Sequence, residues 1–177
     1  MISDNPWSAD NQQERLIEFG WVIGFVDGEG CFSLGVIRNN YKTGYQVFHE
    51  FVVTQGARSK LVLDQLREFF GAGQVIPNHR TDNHREMMYR YVVRRRVDLI
   101  ERVIPFFERY PLRTAKRLDF ERFAAVVRAM CEGKHRTRDG LIAILGTVEQ
   151  MNRQKPRANL VKILRDLTPD PDDSRRR

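Results

Sequence analysis

The chain has 177 residues, 41% hydrophobic and 30% charged, with a formal net charge of +7; that length suffices for one sizeable core. No apolar run approaches the roughly 18 residues of a membrane span, and the opening residues do not read as a signal peptide, so a cytoplasmic chain is expected, bacterial rather than organellar. Two cysteines, Cys31 and Cys131, are too few and too far apart for a disulfide framework or a zinc site.

The first predicted element is a helix over residues 16–30. Within it Gly20, Gly24 and Gly28 recur every four residues, so they fall near one face and strip it of side-chain bulk. Interior glycine costs about 1 kcal/mol relative to alanine, so three of them call for a compensating close approach by a second helix. Asp27 and Glu29 fall at or just past the helix end. Residues 31–38 alternate with period 2, Phe32, Leu34 and Val36 against Ser33, Gly35 and Ile37, as in a strand with one buried face. A turn through Asn39, Asn40 and Gly44 leads to a second strand, 45–55, with Val47, His49, Phe51 and Val53 inward and Gln46, Glu50 and Thr54 outward. Ser59 is placed to cap a helix carrying Leu61, Leu63, Leu66, Phe69 and Phe70, which stops at Gly71 and Gly73.

A second hairpin follows, with strands at 74–78 and 87–94 around the polar stretch 79–86. A third helix carries Leu99, Ile100, Val103 and Phe107 and ends between Pro105 and Pro111. Thr114 is expected to cap a long helix through Glu132 bearing Leu118, Phe123, Val126, Val127 and Met130, and Thr137 to start another over 140–152. The prediction is an α+β chain in the order α-β-β-α-β-β-α. It is read as one domain over 1–167, with a core at about 15–125, a helical extension at 126–167 and a disordered tail at 168–177.

Charge points to the partner. Residues 1–60 hold five basic and seven acidic side chains, whereas 61–130 hold 14 and nine. The pI near 9.8 favours a polyanion. Of the 30 basic residues 24 are arginine, the side chain suited to bidentate contact with phosphate and guanine.

Residues 22–30, VIGFVDGEG, resemble the signature helix of the LAGLIDADG homing endonucleases. The glycines at 24, 28 and 30 and the acids at 27 and 29 match, whereas Val22 and Ile23 depart from the family's name letters. Two further stretches are similar to family positions, FVVTQ at 51–55 and PLRTAKRLDF at 111–120. The resemblance implies the homing endonuclease fold, with extra C-terminal helices here, and a site-specific enzyme hydrolysing both strands of a long DNA target with a divalent metal. It implies Mg²⁺ or Mn²⁺, with Ca²⁺ binding without supporting cleavage. It makes Glu29 the metal-binding acid beside the Gly28 carbonyl, Gln55 the residue ordering water near the cleavage point, and Lys116, with Arg113 as the alternative, the basic catalytic residue.

The signature occurs once, since residues 141–146 lack the acids. The glycine face of Gly20, Gly24, Asp27 and Gly28 therefore calls for a second chain, giving a two-fold dimer and a near-palindromic duplex. A four-stranded antiparallel sheet covered by helices on one face leaves the other free for a major groove. Its expected DNA contacts are Ser33, Ile37, Arg38, Asn39, Gln46, Glu50, Thr54, Gln74, Asn78, Arg80, Arg85 and Arg90. The partners expected are double-stranded DNA and a second copy, with intron RNA and a non-catalytic maturase or DNA-binding regulator as the competing reading.

Overall fold

A computed structural model describes residues 6–40, 43–79 and 86–151, together with residues 162, 163, 166 and 167. The expected DNA contacts Arg80 and Arg85 and the expected tail at 168–177 lie outside them. The elements are α1 (Pro6–Glu29), β1 (Gly30–Arg38), β2 (Tyr45–Gly56), a 3-10 turn (Ala57–Ser59) and α2 (Lys60–Phe70). These are followed by β3 (Gln74–Asn78), β4 (Met88–Val93), α3 (Arg96–Asp98), a π-helical segment (Leu99–Val103), α4 (Ile104–Arg109), α5 (Lys116–Cys131) and α6 (Arg138–Glu149). The four strands form one sheet in the order β1-β2-β4-β3. Among the described residues no helix is long and apolar enough to cross a membrane.

The chain divides into two compact units, Met1–Cys31 with Phe51–Arg117, and Phe32–Glu50 with Leu118–Arg177. In the first, the second half of β2 pairs antiparallel with β4, and β4 with β3. Phe51, Phe70, Tyr91 and Phe107 fill its core with ring centroids about 6 Å apart, mostly edge-to-face. The Tyr91 hydroxyl donates to the Ala72 carbonyl at 2.9 Å, so the one polar atom of that buried ring is satisfied. Phe19 of α1 packs against Phe69, Phe106 and Tyr110, which fastens α1 to α2 and α4. In the second unit Phe32 of β1 meets Phe120 and Phe123 of α5, and Leu141, Ile144, Leu145 and Val148 of α6 are buried.

Helix ends follow local chemistry. Gly71 adopts φ +57° past the end of α2 and Gly73 φ +83° before β3, conformations that favour glycine. The Thr137 hydroxyl accepts from Gly140 N–H, as an N-cap should. Ser59 does not cap α2 with its side chain, because the 3-10 turn ahead of it already carries the chain in helical sense. The third expected helix is three consecutive segments that run through Pro105 and end at Arg109, between the two prolines as expected. A proline inside a helix lacks an N–H and crowds the carbonyl four residues back; the π-helical turn before it relieves that register. α1 begins at Pro6, ten residues before the expected start at 16, with proline at the helix start where its missing N–H costs nothing.

Candidate active site

α1 runs into β1 without a loop, Glu29 closing the helix and Gly30 opening the strand. A Cβ at Gly30 would lie 2.6 Å from Val26 Cγ1 and 2.7 Å from the Val26 carbonyl oxygen, so the direct passage requires glycine. The sharp turn leaves Gly28 and Glu29 exposed. The Glu29 carboxylate engages no described residue.

The last carbonyls of a helix lack intrahelical donors and carry the negative end of its dipole. Here Lys116, the first residue of α5, supplies a cation: its Nζ donates to the Val26 carbonyl at 2.9 Å and the Gly28 carbonyl at 3.1 Å. Asp27 is tied to the segment just before that lysine. Its Oδ2 accepts the Arg113 backbone N–H at 2.9 Å, both oxygens accept the Thr114 N–H at 3.2 Å, and Oδ1 accepts the Thr114 hydroxyl at 2.6 Å. Partial burial pushes the Asp27 carboxyl up, but the Thr114 hydroxyl, the two backbone N–H groups and the Lys116 charge outweigh it, and the net shift is below the ordinary 3.8. A carboxyl so lowered stabilises the fold at neutral pH, and that contribution is lost only as pH falls below the carboxylate range.

Gly28, Asp27, Lys116 and the Arg113 backbone thus come together at one helix end. The Arg113 side chain instead lines a recess of ≈480 Å³ with Gly20, Ile23, Gly24, Asp27, Arg109, Tyr110 and Pro111. Of the two basic candidates, Lys116 is the one whose charged group reaches the α1 carbonyls. Gln55 lies at the end of β2 in the same unit, its Cα opposite Tyr89. Thr114, which joins Asp27 to α5, is a site residue that the sequence marks only as a helix cap.

A metal would find hard oxygen donors here, the Glu29 carboxylate and the Gly28 carbonyl. That carbonyl already accepts a cationic group, so it faces a position where positive charge is favourable, and the donor set fits a divalent ion. Among the described residues no group of three or more His, Cys, Asp and Glu side chains is arranged to hold a metal. Among the described residues the Glu29 carboxylate and the Gly28 carbonyl are fewer than the about six oxygens such a cation takes.

On the sheet, Thr54, Arg90 and Ile76 stand side by side across β2, β4 and β3, on the opposite face from Val53, Tyr91 and Val75. Gln74 is exposed and Asn78 half-buried on β3. On the first hairpin Ser33 is half-buried and Ile37 exposed, while Asn39 donates its amide to Gln46 Oε1 at 2.7 Å. Arg38 is engaged by Asp166 at 2.7 Å, which also accepts from the Tyr45 hydroxyl at 2.8 Å. Glu50 departs from the outward reading: it is 8% exposed. Period-2 alternation tells which face a side chain takes, not whether its surroundings leave it open to water. His49, expected inward, is only half-buried.

The glycine face is open. A Cβ built at Gly20, Gly24 or Gly28 would meet nothing within 4 Å, and Leu16, Ile17 and Trp21 are 57%, 67% and 38% exposed on the same helix.

The model of a family described as LAGLIDADG endonuclease matches residues 22–127. A 50.9 kDa protein in ND4 intron 1 of Podospora anserina is 32% identical over 121 residues, 67% of this chain and 25% of that protein. The homing endonuclease I-ApeII of Aeropyrum pernix is 32% identical over 118 residues, 66% of each chain. The chain spans about a quarter of the length of the curated fungal relatives it matches. These relatives lend no support to the expectation of a bacterial source. Among solved structures, the homing endonuclease I-TnaI superposes with a TM-score of 0.75 and 42% identity over 85% of this chain and 97% of its own. I-SmaMI, bound to an uncleaved DNA target in the presence of calcium ions, gives 0.74 and 30%, over 85% of this chain and 49% of its own.

Proposed function

The chain belongs to the LAGLIDADG endonuclease family, and from that premise we propose that it is an intron-encoded homing endonuclease acting on double-stranded DNA as a homodimer. The observation that carries this reading is the end of α1, where Gly28 and Glu29 are exposed and the Lys116 ammonium donates to the Val26 and Gly28 carbonyls. A bound divalent ion, Mg²⁺ or Mn²⁺, supplies charge neutralisation at phosphate and an ionised water. Glu29 and the Gly28 carbonyl would hold it.

The chain's own groups do the remaining work. Lys116 holds a positive charge at the α1 carbonyls, where it counters negative charge developing on the phosphate. Gln55, able to donate and accept, orients water at the end of β2. Thr54, Gln74, Asn78 and Arg90 face the groove, and Arg38, Asn39 and Gln46 offer further contacts on the first hairpin. With Glu29 and the Gly28 carbonyl supplied by one chain, DNA phosphate, water and a second chain would complete the ligand set. The open glycine face is the surface on which that second chain packs.

A randomised duplex library tests the activity and finds the target in the same experiment. With Mg²⁺ the protein is expected to enrich one near-palindromic sequence cut on both strands, and excess EDTA is expected to abolish cutting. Retention of a sequence, DNA or RNA, without any cutting would instead identify a binding protein of this fold.

A further inference from the structure

The four bonds that Asp27 accepts from Arg113 and Thr114 form one side of a closed ring. Thr114 Oγ1, which donates to Asp27, also accepts the backbone N–H of Lys116 at 3.2 Å. The Lys116 ammonium then returns to Val26 and Gly28, the residues on either side of Asp27. Two segments far apart in the chain are thus tied at both the root and the tip of one lysine side chain.

We propose that Asp27 is a positioning residue that acts through Lys116, holding the turn from which the lysine springs so that its ammonium stays on the α1 carbonyls. This rests on the role given to Lys116 above. Lysine has a flexible four-carbon stem, so a fixed ammonium needs a fixed root. The root is a short irregular stretch, Arg113 to Ala115, whose residues are all exposed; buried Leu112 anchors only its near end. Asp27 supplies the far anchor. Its two oxygens are occupied by three donors, so it serves the site without being a ligand.

Asp27→Asn sets an amide NH₂ against backbone N–H donors, so half of the cradle becomes a donor-donor conflict. Displacing a reacting group by about 1 Å costs on the order of 10²-fold in rate. The expected result is a roughly 10- to 100-fold slower single-turnover cleavage of the library-selected duplex, with DNA affinity in EDTA within about twofold of the parent. Thr114→Val should move in the same direction and Thr114→Ser should restore the parent rate. The structural readout is the ¹H–¹⁵N signal of the Lys116 ammonium, sheltered by its two carbonyl acceptors: present in the parent and in Thr114→Ser, lost in Asp27→Asn and weakened in Thr114→Val.

An Asp27→Asn protein that keeps both rate and signal would overturn the proposal, as would one that loses rate while the signal persists. If Asp27→Asn does not fold, Thr114→Val, which removes only the hydroxyl arm, carries the same comparison. Lys116→Met separates the two levels of argument. If it cleaves at the parent rate, the role of Lys116 is wrong; if it is slow while Asp27→Asn is unaffected, only the positioning claim fails.

Discussion

Glu29→Gln is expected to slow single-turnover DNA cleavage by about 10³-fold or more, equivalent to about 4 kcal/mol of barrier, while the protein keeps its fold. The two halves of that expectation come from the same observation. Glu29 ends α1 in an exposed position and engages no described residue, so exchange for an amide of the same shape removes no packing and should leave stability within about 0.5 kcal/mol. What it removes is the formal negative charge beside the Gly28 carbonyl, and a hard divalent cation depends on that charge. The measurements are cleavage rate against Mg²⁺ concentration and a thermal melt of each protein. A variant that melts normally and cuts at the parent rate would remove Glu29 from the metal site.

Gly24→Leu should have opposite effects on the fold and on the assembly. Within one chain the first added carbon meets nothing within 4 Å, and leucine is a better helix former than glycine by up to about 1 kcal/mol. The folded chain should therefore tolerate it. A second helix packed against the glycine face could no longer approach, because the face would carry a four-carbon side chain where it now carries none. Sedimentation velocity is expected to show the parent as a dimer and the variant as a folded monomer, with double-strand cleavage reduced about 100-fold or more. A dimeric, fully active Gly24→Leu protein would move the partner to another surface.

How far the sequence can be read depends on the range of the interactions. β3 at 74–78, the turn at Gly71 to Gly73, and the Thr137 cap are local events, and the sequence pattern places each close to where it stands. The signature at 22–30 likewise announces its acids and its glycine face, since helical period alone puts Gly20, Gly24 and Gly28 together. The π-helical turn at Leu99–Val103 is not legible, because apolar periodicity marks a helix there without distinguishing a π turn from an α turn. Alternation sends Glu50 outward, yet it says only which face a side chain takes and not how closely neighbours on that face crowd it. The ring from Asp27 through Thr114 to Lys116 is hidden for a third reason. Each residue has a local explanation, helix end, helix cap and exposed lysine, and only the tertiary approach of the 113–116 turn to α1 joins them.

Each chain is expected to carry half of a cutting centre, with one Lys116 serving one strand. This is tested most directly by mixed dimers, made by co-expressing differently tagged parent and Lys116→Met chains, purified through both tags and applied to a supercoiled plasmid bearing the selected site. Nicked circles are expected as the main product, because one strand meets a complete set of groups and the other does not. Mixed dimers that convert the plasmid to linear DNA as fast as the parent would contradict it.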